Sequence, residues 1–313
     1  MTSTPPSPHT TATGALRAGG SALLAERTVS RVGYGAMQLE RLHSDREDAL
    51  TLLRRAVELG IDHIDTAQFY GNGLVNELIR EAIRPQDGVT IVSKVGATPD
   101  PGGPFPMRPA QRPEELRAGV EDNLASLGLE QIPLVNLRRM DGVVRIPLAA
   151  DQVIDLDDQL AEMTALREEG KIGAIGLSTV TLDILRRALP AGIACVQNAY
   201  SLVAREDEDL LELCAAENIA WVPYFPLGSA FPGMPKVTDE PTVKETAHAL
   251  GATPSQVGLA WLLHHAPNVL VIPGTASAEH LEANVAAGAI ELDEATLAKL
   301  DAIPPQSFQA VQG

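Results

Sequence analysis

One stretch of the sequence contains the unit on which the predicted architecture is built: residues 45–66, DREDALTLLRRAVELGIDHIDT. Its apolar residues first recur every three or four positions, as in an amphipathic helix, and then form the short run at residues 61–64. Asp45 and Gly60 stand where a helix N-cap and a C-terminal stop are expected. The stretch therefore predicts a helix over residues 45–59 and a buried strand over residues 61–64.

The same alternation of strand and helix recurs along the chain. Strands are predicted at residues 32–35, 61–64, 89–93, 134–137, 172–176, 194–197, 219–223 and 269–272. Helices are predicted at residues 45–59, 74–83, 113–127, 156–168, 181–189, 207–216, 240–250, 254–264 and 278–287. The strand runs are apolar without clean alternation, as expected for parallel strands buried on both faces. Strand starts recur about every 34 residues, which predicts an α/β fold, a (β/α)8 TIM barrel with extra C-terminal helices.

An open doubly wound sheet is the alternative architecture. It would place a Gly-x-Gly-x-x-Gly motif after the first strand. Residues 32–38, VGYGAMQ, lack the third glycine of that motif. The barrel is therefore the favoured interpretation.

Composition and charge exclude several classes of function. The chain has 313 residues, 45% of them hydrophobic, and a net charge of −17. This charge repels phosphate backbones, so no nucleic-acid partner is expected, and no apolar run is long enough to cross a membrane. Two cysteines, Cys195 and Cys214, cannot form a disulfide framework. Neither they nor the histidines show metal-ligand spacing, so no metal is predicted.

The first twenty residues, MTSTPPSPHTTATGALRAGG, differ from the rest in composition. They are rich in Ser, Thr, Pro and Gly and lack the apolar core of a secretory signal. We predict a disordered leader over residues 1–20 as a short N-terminal extension, a single domain over residues 21–313 and a cytoplasmic location. The sequence predicts no particular oligomeric state.

Polar side chains follow the predicted strands at the end where barrel active sites are assembled. Asp65 and Tyr70 follow the second strand, and Lys94 follows the third. A neighbouring ammonium favours the phenolate form of a tyrosine, and a buried carboxylate keeps the ammonium charged. Such a trio suits Tyr70 to donate a proton during carbonyl reduction, or to accept one during alcohol oxidation.

Each of these three residues also has a purely structural interpretation. Asp65 is compatible with a helix cap or a surface acid, and Tyr70 with an ordinary loop aromatic. Lys94 ends a buried strand, where an unpaired lysine is rare. The functional interpretation therefore requires all three side chains to meet at one place.

The motifs around these residues resemble those of the aldo-keto reductases. The matching stretches are GIDHIDTAQFYG at 60–71, IVSK at 91–94, GKIGAIGLS at 170–178, VQNAYSL at 196–202 and IPGT at 272–275. The resemblance runs from Val32 to about Asp301. It implies a (β/α)8 barrel that binds NADP(H) across its mouth and reduces a small carbonyl substrate, as a carbonyl reductase or alcohol dehydrogenase.

The resemblance also implies roles for individual residues. Asp65, Tyr70 and Lys94 would be three of four catalytic groups. Ser178 and Gln197 would hold the nicotinamide carboxamide, with Asn198 beside them. The cofactor-binding set continues with Tyr224 against the nicotinamide ring, with Pro226, Leu227, Gly228 and Gly274, and with Thr275, His280 and Asn284 at the adenosine end.

Two departures from the family pattern affect these expectations. Within LVNLRRMD at 134–141, Arg138 occupies the fourth catalytic position, where the family usually has histidine. Arginine stays charged and only donates hydrogen bonds, so it polarises a carbonyl but does not act as an acid or base. Around the last strand, Gly274 and His280 stand where members that prefer NADPH commonly have Lys and Arg. NADP(H) is expected, with NAD(H) as the alternative.

Other stretches resemble a bacterial pyridoxal reductase-like (pyridoxine 4-dehydrogenase-like) branch of the family. They are VGYGAMQL at 32–39, NLR at 136–138, FPLG at 225–228, LGATPSQV at 250–257 and AWLL at 260–263. In that branch arginine replaces the histidine. The expected substrate is pyridoxal or another aromatic aldehyde, or else a ketone.

Two other functions remain as alternatives. A catalytically impaired, dinucleotide-binding regulatory subunit is compatible with Arg138. A barrel of another chemistry, such as a metal-dependent lyase or an isomerase, is disfavoured because no carboxylates cluster at the strand ends. Specificity is expected in the loops at residues 96–112, 141–155 and 227–239 and in the tail after Ile303. Phe105, Met107, Met140, Phe225 and Phe231 either line an apolar pocket there or pack the loops.

Overall fold

The chain folds as a cylinder of parallel strands surrounded by helices. The structure is a computed structural model that describes residues 17–100, 102–103, 107–140, 148–228 and 235–307. Its strands are β1 (Ser21–Leu24), β2 (Arg27–Ser30), β3 (Tyr34–Gly35), β4 (His63–Asp65), β5 (Thr90–Val95), β6 (Ala97–Pro99), β7 (Met107–Pro109), β8 (Ile132–Arg138), β9 (Ile172–Ser178), β10 (Ile193–Gln197) and β11 (Ala220–Trp221). Its α-helices are α1 (Arg46–Glu58), α2 (Leu74–Ala82), α3 (Pro113–Leu127), α4 (Leu156–Glu168), α5 (Leu182–Ala188), α6 (Glu208–Ala216), α7 (Pro241–Leu250), α8 (Pro254–His265), α9 (Ala278–Ala286) and α10 (Glu294–Asp301).

Seven of these strands form one parallel sheet in the order β3-β4-β5-β8-β9-β10-β11. The eighth predicted strand joins the two edges of that sheet. Val269 bridges Trp221 of β11, and Val271 bridges Val32 just before β3, both in parallel. The edges are thereby paired rather than exposed, which closes the cylinder. The predicted (β/α)8 barrel, with helices α9 and α10 after its last strand, is confirmed.

Aliphatic side chains fill the interior of the barrel. The inward-facing cluster contains Val92, Leu134, Cys195, Ala220, Val222, Leu270 and Ile272. Leu24 and Val29 of the β1–β2 hairpin belong to the same cluster. Because Ser30 at the end of that hairpin donates its N–H to Asp62 just before β4, the hairpin covers the N-terminal end of the barrel. Among the described residues, this hairpin leaves the C-terminal end of the strands uncovered.

Several local expectations differ from the structure. The Asp45 side chain makes no capping hydrogen bond, although helix α1 begins immediately after it. The seventh barrel strand is shorter than predicted, with only β11 in the ladder. The hairpins β1–β2 and β6–β7 and the helix α10 were not predicted. Within the predicted leader, residues 1–16 lie outside the described part of the chain, whereas Ala18 and Gly20 accept backbone hydrogen bonds from Val32 and Arg31.

One glycine allows a close contact at the covered end of the barrel. A Cβ added to Gly33 would lie 2.1 Å from Nε2 of His63, a side chain that is almost fully buried. Gly33→Ala should therefore lower the free energy of unfolding by about 1–3 kcal/mol, because overpacking strains a filled core. In a His63→Ala background the same change should cost much less, since the clashing ring is gone. Urea denaturation of the four proteins measures this coupling, and additive losses would contradict the steric explanation.

Candidate active site

Three of the predicted side chains lie together at the open end of the barrel. The Lys94 ammonium donates hydrogen bonds to the Asp65 carboxylate, to the Thr66 carbonyl at 3.0 Å and to the Tyr70 hydroxyl at 3.2 Å. Asp65 and Lys94 are each 4% exposed, while Tyr70 is half-buried. The phenol thus faces the mouth, with a buried ion pair behind it.

The positions of these side chains follow from strand register. Asp65 is the last residue of β4 and pairs with Val92 of β5, so Lys94 stands two residues further along the neighbouring strand. Tyr70 begins a tight turn in which Gly71 and Asn72 have φ values of 57° and 54°. The Glu40 carboxylate accepts the N–H of Gly71 at 2.7 Å and fixes this left-handed turn.

The electrostatics keep the ammonium charged. Burial alone lowers the pKa of Lys94, but the Asp65 carboxylate and the Tyr70 oxygen more than offset this effect. The net pKa of Lys94 is raised above its ordinary value of 10.5. At neutral pH the site therefore presents a positive charge to the Tyr70 oxygen.

Gln197 joins this cluster from the opposite side of the barrel. Its Nε2 donates to the second oxygen of Asp65 at 2.7 Å. Its Oε1 is buried and has no hydrogen-bond partner among the described residues. Ser178 is fully buried next to it on β9, in register with Gln197. An unpaired buried acceptor costs about 1–3 kcal/mol, so this oxygen is suited to receive an N–H from a ligand.

Arg138 ends strand β8 beside Ser178 of β9. Its side chain is half-buried, and its Nε makes no hydrogen bond within the described part of the chain. Burial raises the pKa of Tyr224, and the nearby Arg138 guanidinium opposes that rise. Arg138 therefore lies close to the predicted stacking tyrosine and carries donors for a negatively charged oxygen.

Asn198, predicted beside the carboxamide, makes three hydrogen bonds within the protein. Its Nδ2 donates to the Val180 carbonyl at 2.7 Å and to Asp207 at 2.8 Å, while its Oδ1 accepts the Val180 N–H at 3.0 Å. Both amide hydrogens are thus donated within the protein. The side chain thereby connects the loops after β9 and β10.

The segment after β11 forms a tight turn at the same end of the barrel. The Tyr224 and Phe225 rings meet edge to face with their centroids 5.1 Å apart, and the Tyr224 hydroxyl lies 3.3 Å from Thr179 Oγ1. Pro226, Leu227 and Gly228 follow in this turn, which the 2.9 Å hydrogen bond from the Gly228 N–H to the Phe225 carbonyl closes. Of the residues proposed to line an apolar pocket, Phe105 and Phe231 lie outside the described residues.

The predicted adenosine end lies after the last strand. A Cβ on Gly274 would lie 2.7 Å from the Gly35 carbonyl, so the first and last strands approach closely there. Thr275 Oγ1 accepts the Ser277 N–H at 3.0 Å, just before α9, which carries His280 and Asn284. Residues 273–290 contain neither Lys nor Arg.

These contacts define a mouth with a buried ion pair, a phenol and an unpaired amide oxygen. The sequence profile of the Aldo/keto reductase family matches residues 31–304. The chain belongs to the aldo/keto reductase family. This confirms the membership that the sequence motifs predicted.

Relatives within the aldo-keto reductases match over nearly their whole length. The chain is 42% identical over 287 residues to pyridoxine 4-dehydrogenase of Escherichia coli, covering 90% of this chain and 96% of that protein. A solved aldo-keto reductase from Klebsiella pneumoniae in complex with NADPH is 28% identical, with a TM-score of 0.74 and coverage of 93% and 97%. Another from the same organism, in complex with NADP and acetate, is 26% identical, with a TM-score of 0.75 and coverage of 95% and 100%.

Sequence reasoning did not identify two side chains that shape this site. Glu40 holds the turn after Tyr70, and Gln111 binds the strand ends beside Arg138. Thr179, which has a φ of 60° and lies 3.3 Å from the Tyr224 hydroxyl, was also not assigned a role, and its position after Ser178 was the one available signal. In the described ranges, no helix is long and apolar enough to cross a membrane, and no three His, Cys, Asp or Glu side chains could together hold a metal ion.

The Glu40 contact predicts a pH effect on stability. Burial raises the pKa of Glu40, and the hydrogen bond from Gly71 only partly opposes it. Because the pKa of Glu40 is raised on folding, its contribution to stability is highest below the ordinary carboxyl pKa. That contribution falls as the pH rises through the folded-state pKa. Glu40→Gln keeps an oxygen acceptor without the charge. The free energy of unfolding of this variant should equal or exceed that of the parent at pH 7. Any such difference should become smaller at pH 4. Urea denaturation of both proteins at both pH values measures this difference. A variant that is less stable than the parent at pH 7 but not at pH 4 would refute the prediction.

Proposed function

We propose that the protein is an NADP(H)-dependent carbonyl reductase that converts an aldehyde or ketone to the alcohol, with Tyr70 as the proton donor. The observation that carries this proposal is the contact of the Tyr70 hydroxyl with a buried, charged Lys94 at 3.2 Å. Family membership and the nucleotide complexes of the two Klebsiella pneumoniae structures support it.

The protein's part in the reaction is a proton transfer. Reduction adds a hydride to the carbonyl carbon and a proton to its oxygen; the bound cofactor would supply the hydride. As the oxygen becomes basic, the Tyr70 O–H bond breaks and an O–H bond forms on the substrate. The phenolate left on Tyr70 is stabilised by the Lys94 ammonium, which Asp65 keeps charged and in place. In the oxidising direction the phenolate accepts the proton.

Three features of the mouth fit the proposed cofactor. The unpaired Oε1 of Gln197 is suited to accept an N–H from a carboxamide, with the Ser178 hydroxyl adjacent. Tyr224 would stack against the nicotinamide ring, and Pro226, Leu227 and Gly228 in the turn that follows would bind beside it. Gly274, Thr275, His280 and Asn284 would face the adenosine end. Because no Lys or Arg lies between residues 273 and 290, a 2′-phosphate would depend on backbone N–H groups there.

Arg138 supports a more specific substrate class. In pyridoxal the aldehyde stands next to a phenolic oxygen, and a guanidinium can donate to both oxygens at once. The free Nε of Arg138 and its position near Tyr224 fit that task. The similarity to pyridoxine 4-dehydrogenase also favours pyridoxal or a related ortho-hydroxy aldehyde.

Replacing the phenol tests the proposed proton donor. Tyr70→Phe should lower kcat for aldehyde reduction by about 10²- to 10⁴-fold, because the general acid is lost while the pocket keeps its shape. The dissociation constant for NADPH should change less than about twofold, since no cofactor contact is removed. It is measured by fluorescence quenching, and the same titration is carried out with NADH.

Tyr200→Phe is the matched control, because the hydroxyl of the buried Tyr200 bonds Glu208 and His265 and, in the described part of the chain, none of the four proposed catalytic side chains. It should lower stability and leave kcat near that of the parent. Retained activity in Tyr70→Phe would remove Tyr70 from its role. Tight NADPH binding without turnover of any aldehyde by the parent would instead favour the regulatory alternative.

The substrate class is tested with a pair of aldehydes. Arg138→Met should lower kcat/KM for pyridoxal and 2-hydroxybenzaldehyde by about 10- to 100-fold more than for benzaldehyde, because only the first two offer a second oxygen to the guanidinium. Equal losses of kcat/KM for all three aldehydes would mean that Arg138 binds the carbonyl oxygen alone. A parent enzyme that reduces benzaldehyde but not pyridoxal would contradict the substrate assignment.

A further inference from the structure

Gln111 joins the two strands that carry the proposed active-site cations. Its Nε2 donates to the Gly96 carbonyl at 2.5 Å and to the Arg138 carbonyl at 2.8 Å. Lys94 lies two residues before Gly96 on β5, and Arg138 ends β8. One amide group therefore holds the ends of both strands.

The backbone pairing of β5 with β8 ends just before the two carbonyls that the Gln111 amide binds. Strands β5 and β8 pair up to Val95 and Leu137. Gly96 then turns away with a φ of 98°, and a Cβ there would lie 2.2 Å from the Arg138 carbonyl oxygen. The β5–β8 pairs end at Val95 and Leu137, and the Gly96 carbonyl accepts from the Ala110 N–H instead. Beyond these pairs, the two side-chain amide hydrogens of Gln111 connect the ends of β5 and β8.

Gln111 is itself held on every side. Its N–H donates to Gln152 at 2.6 Å, and its backbone carbonyl accepts from Gln159 at 2.7 Å. Its Oε1 accepts from the same Gln159 amide at 3.1 Å. Gln159 also binds the guanidinium of Arg139, the residue after Arg138. All three glutamines are buried, so the orientation of the Gln111 amide is fixed.

We propose that Gln111 is a positioning residue that sets the direction of Arg138 relative to Lys94, an inference that rests on the proposed function. The Arg138 carbonyl that it binds belongs to the same residue whose guanidinium would hold the substrate oxygens. When the amide is lost, the end of β8 is free to move away from β5. The guanidinium then no longer meets the carbonyl in the geometry that Tyr70 and Lys94 require.

The test compares two amides at opposite ends of the barrel. Gln111→Met removes the donors at the mouth without adding charge. Asn268→Leu is the matched control, because Asn268 Nδ2 donates to the Ile219 carbonyl at 3.0 Å and so joins two neighbouring strands at the covered end. Each variant is assayed for unfolding, NADPH affinity, kcat and KM with pyridoxal and benzaldehyde, and hydrogen exchange.

We expect Gln111→Met to lose about tenfold or more in kcat and most of its preference for pyridoxal over benzaldehyde, with NADPH affinity within about twofold. Asn268→Leu should lose stability alone. A drop in unfolding temperature with unchanged kcat and preference would reduce Gln111 to a purely structural residue. If Gln111→Met does not fold, Gln111→Asn, which keeps the donors but withdraws them by one methylene, takes its place under the same criteria.

Hydrogen exchange separates this proposal from the proposed function. The Arg139 N–H donates to the Ser178 carbonyl at 2.8 Å and reports on the end of β8. Its protection should fall about tenfold in the Gln111 variant and stay unchanged in Asn268→Leu. If the parent reduces no aldehyde, the proposed function fails while this measurement still decides whether Gln111 holds the strand end. Unchanged protection in both variants would overturn the proposal.

Discussion

The burial of one ion pair constrains the rest of the site. Lys94 and Asp65 are almost entirely removed from water, and a buried charge is tolerated only when its hydrogen bonds are satisfied. The carboxylate obtains them from Lys94 and Gln197, and the ammonium from Asp65, Thr66 and Tyr70. Each of these partners comes from a strand end or from the turn after one. The pair therefore needs a closed barrel that brings β4, β5 and β10 to a common mouth.

The sequence predicted the barrel because its strands and helices carry strong local signals. Helices α3 and α4 were predicted with the bounds that the structure shows: Pro113 begins the first of them, and the Asp155 carboxylate caps the second. The β1–β2 hairpin was missed because Ala25, with a φ of 55°, occupies a turn position where glycine or asparagine is expected. Helix α10 was missed because Leu300 is its one buried residue among those described, so its apolar periodicity is weak.

The site was predictable only where position along a strand identifies a side chain. Asp65, Lys94 and Arg138 lie at strand ends, and the period of the fold brings such residues to the mouth. Glu40 and Gln111 act through hydrogen bonds to backbone groups that are 31 and 27 residues away along the chain. No residue type or spacing marks such a contact. The internal use of Asn198 was unpredictable for the same reason, since its partners Val180 and Asp207 become neighbours only through the loops.

The Gln197 amide links the buried ion pair to the proposed cofactor site. One end of the amide binds the carboxylate that keeps Lys94 charged, and the other end is a buried acceptor without a donor among the described residues. Under the proposed function, a nicotinamide carboxamide would donate to that acceptor while the same amide binds Asp65. The bound cofactor would thereby support, through a single side chain, the ion pair that holds the proton donor.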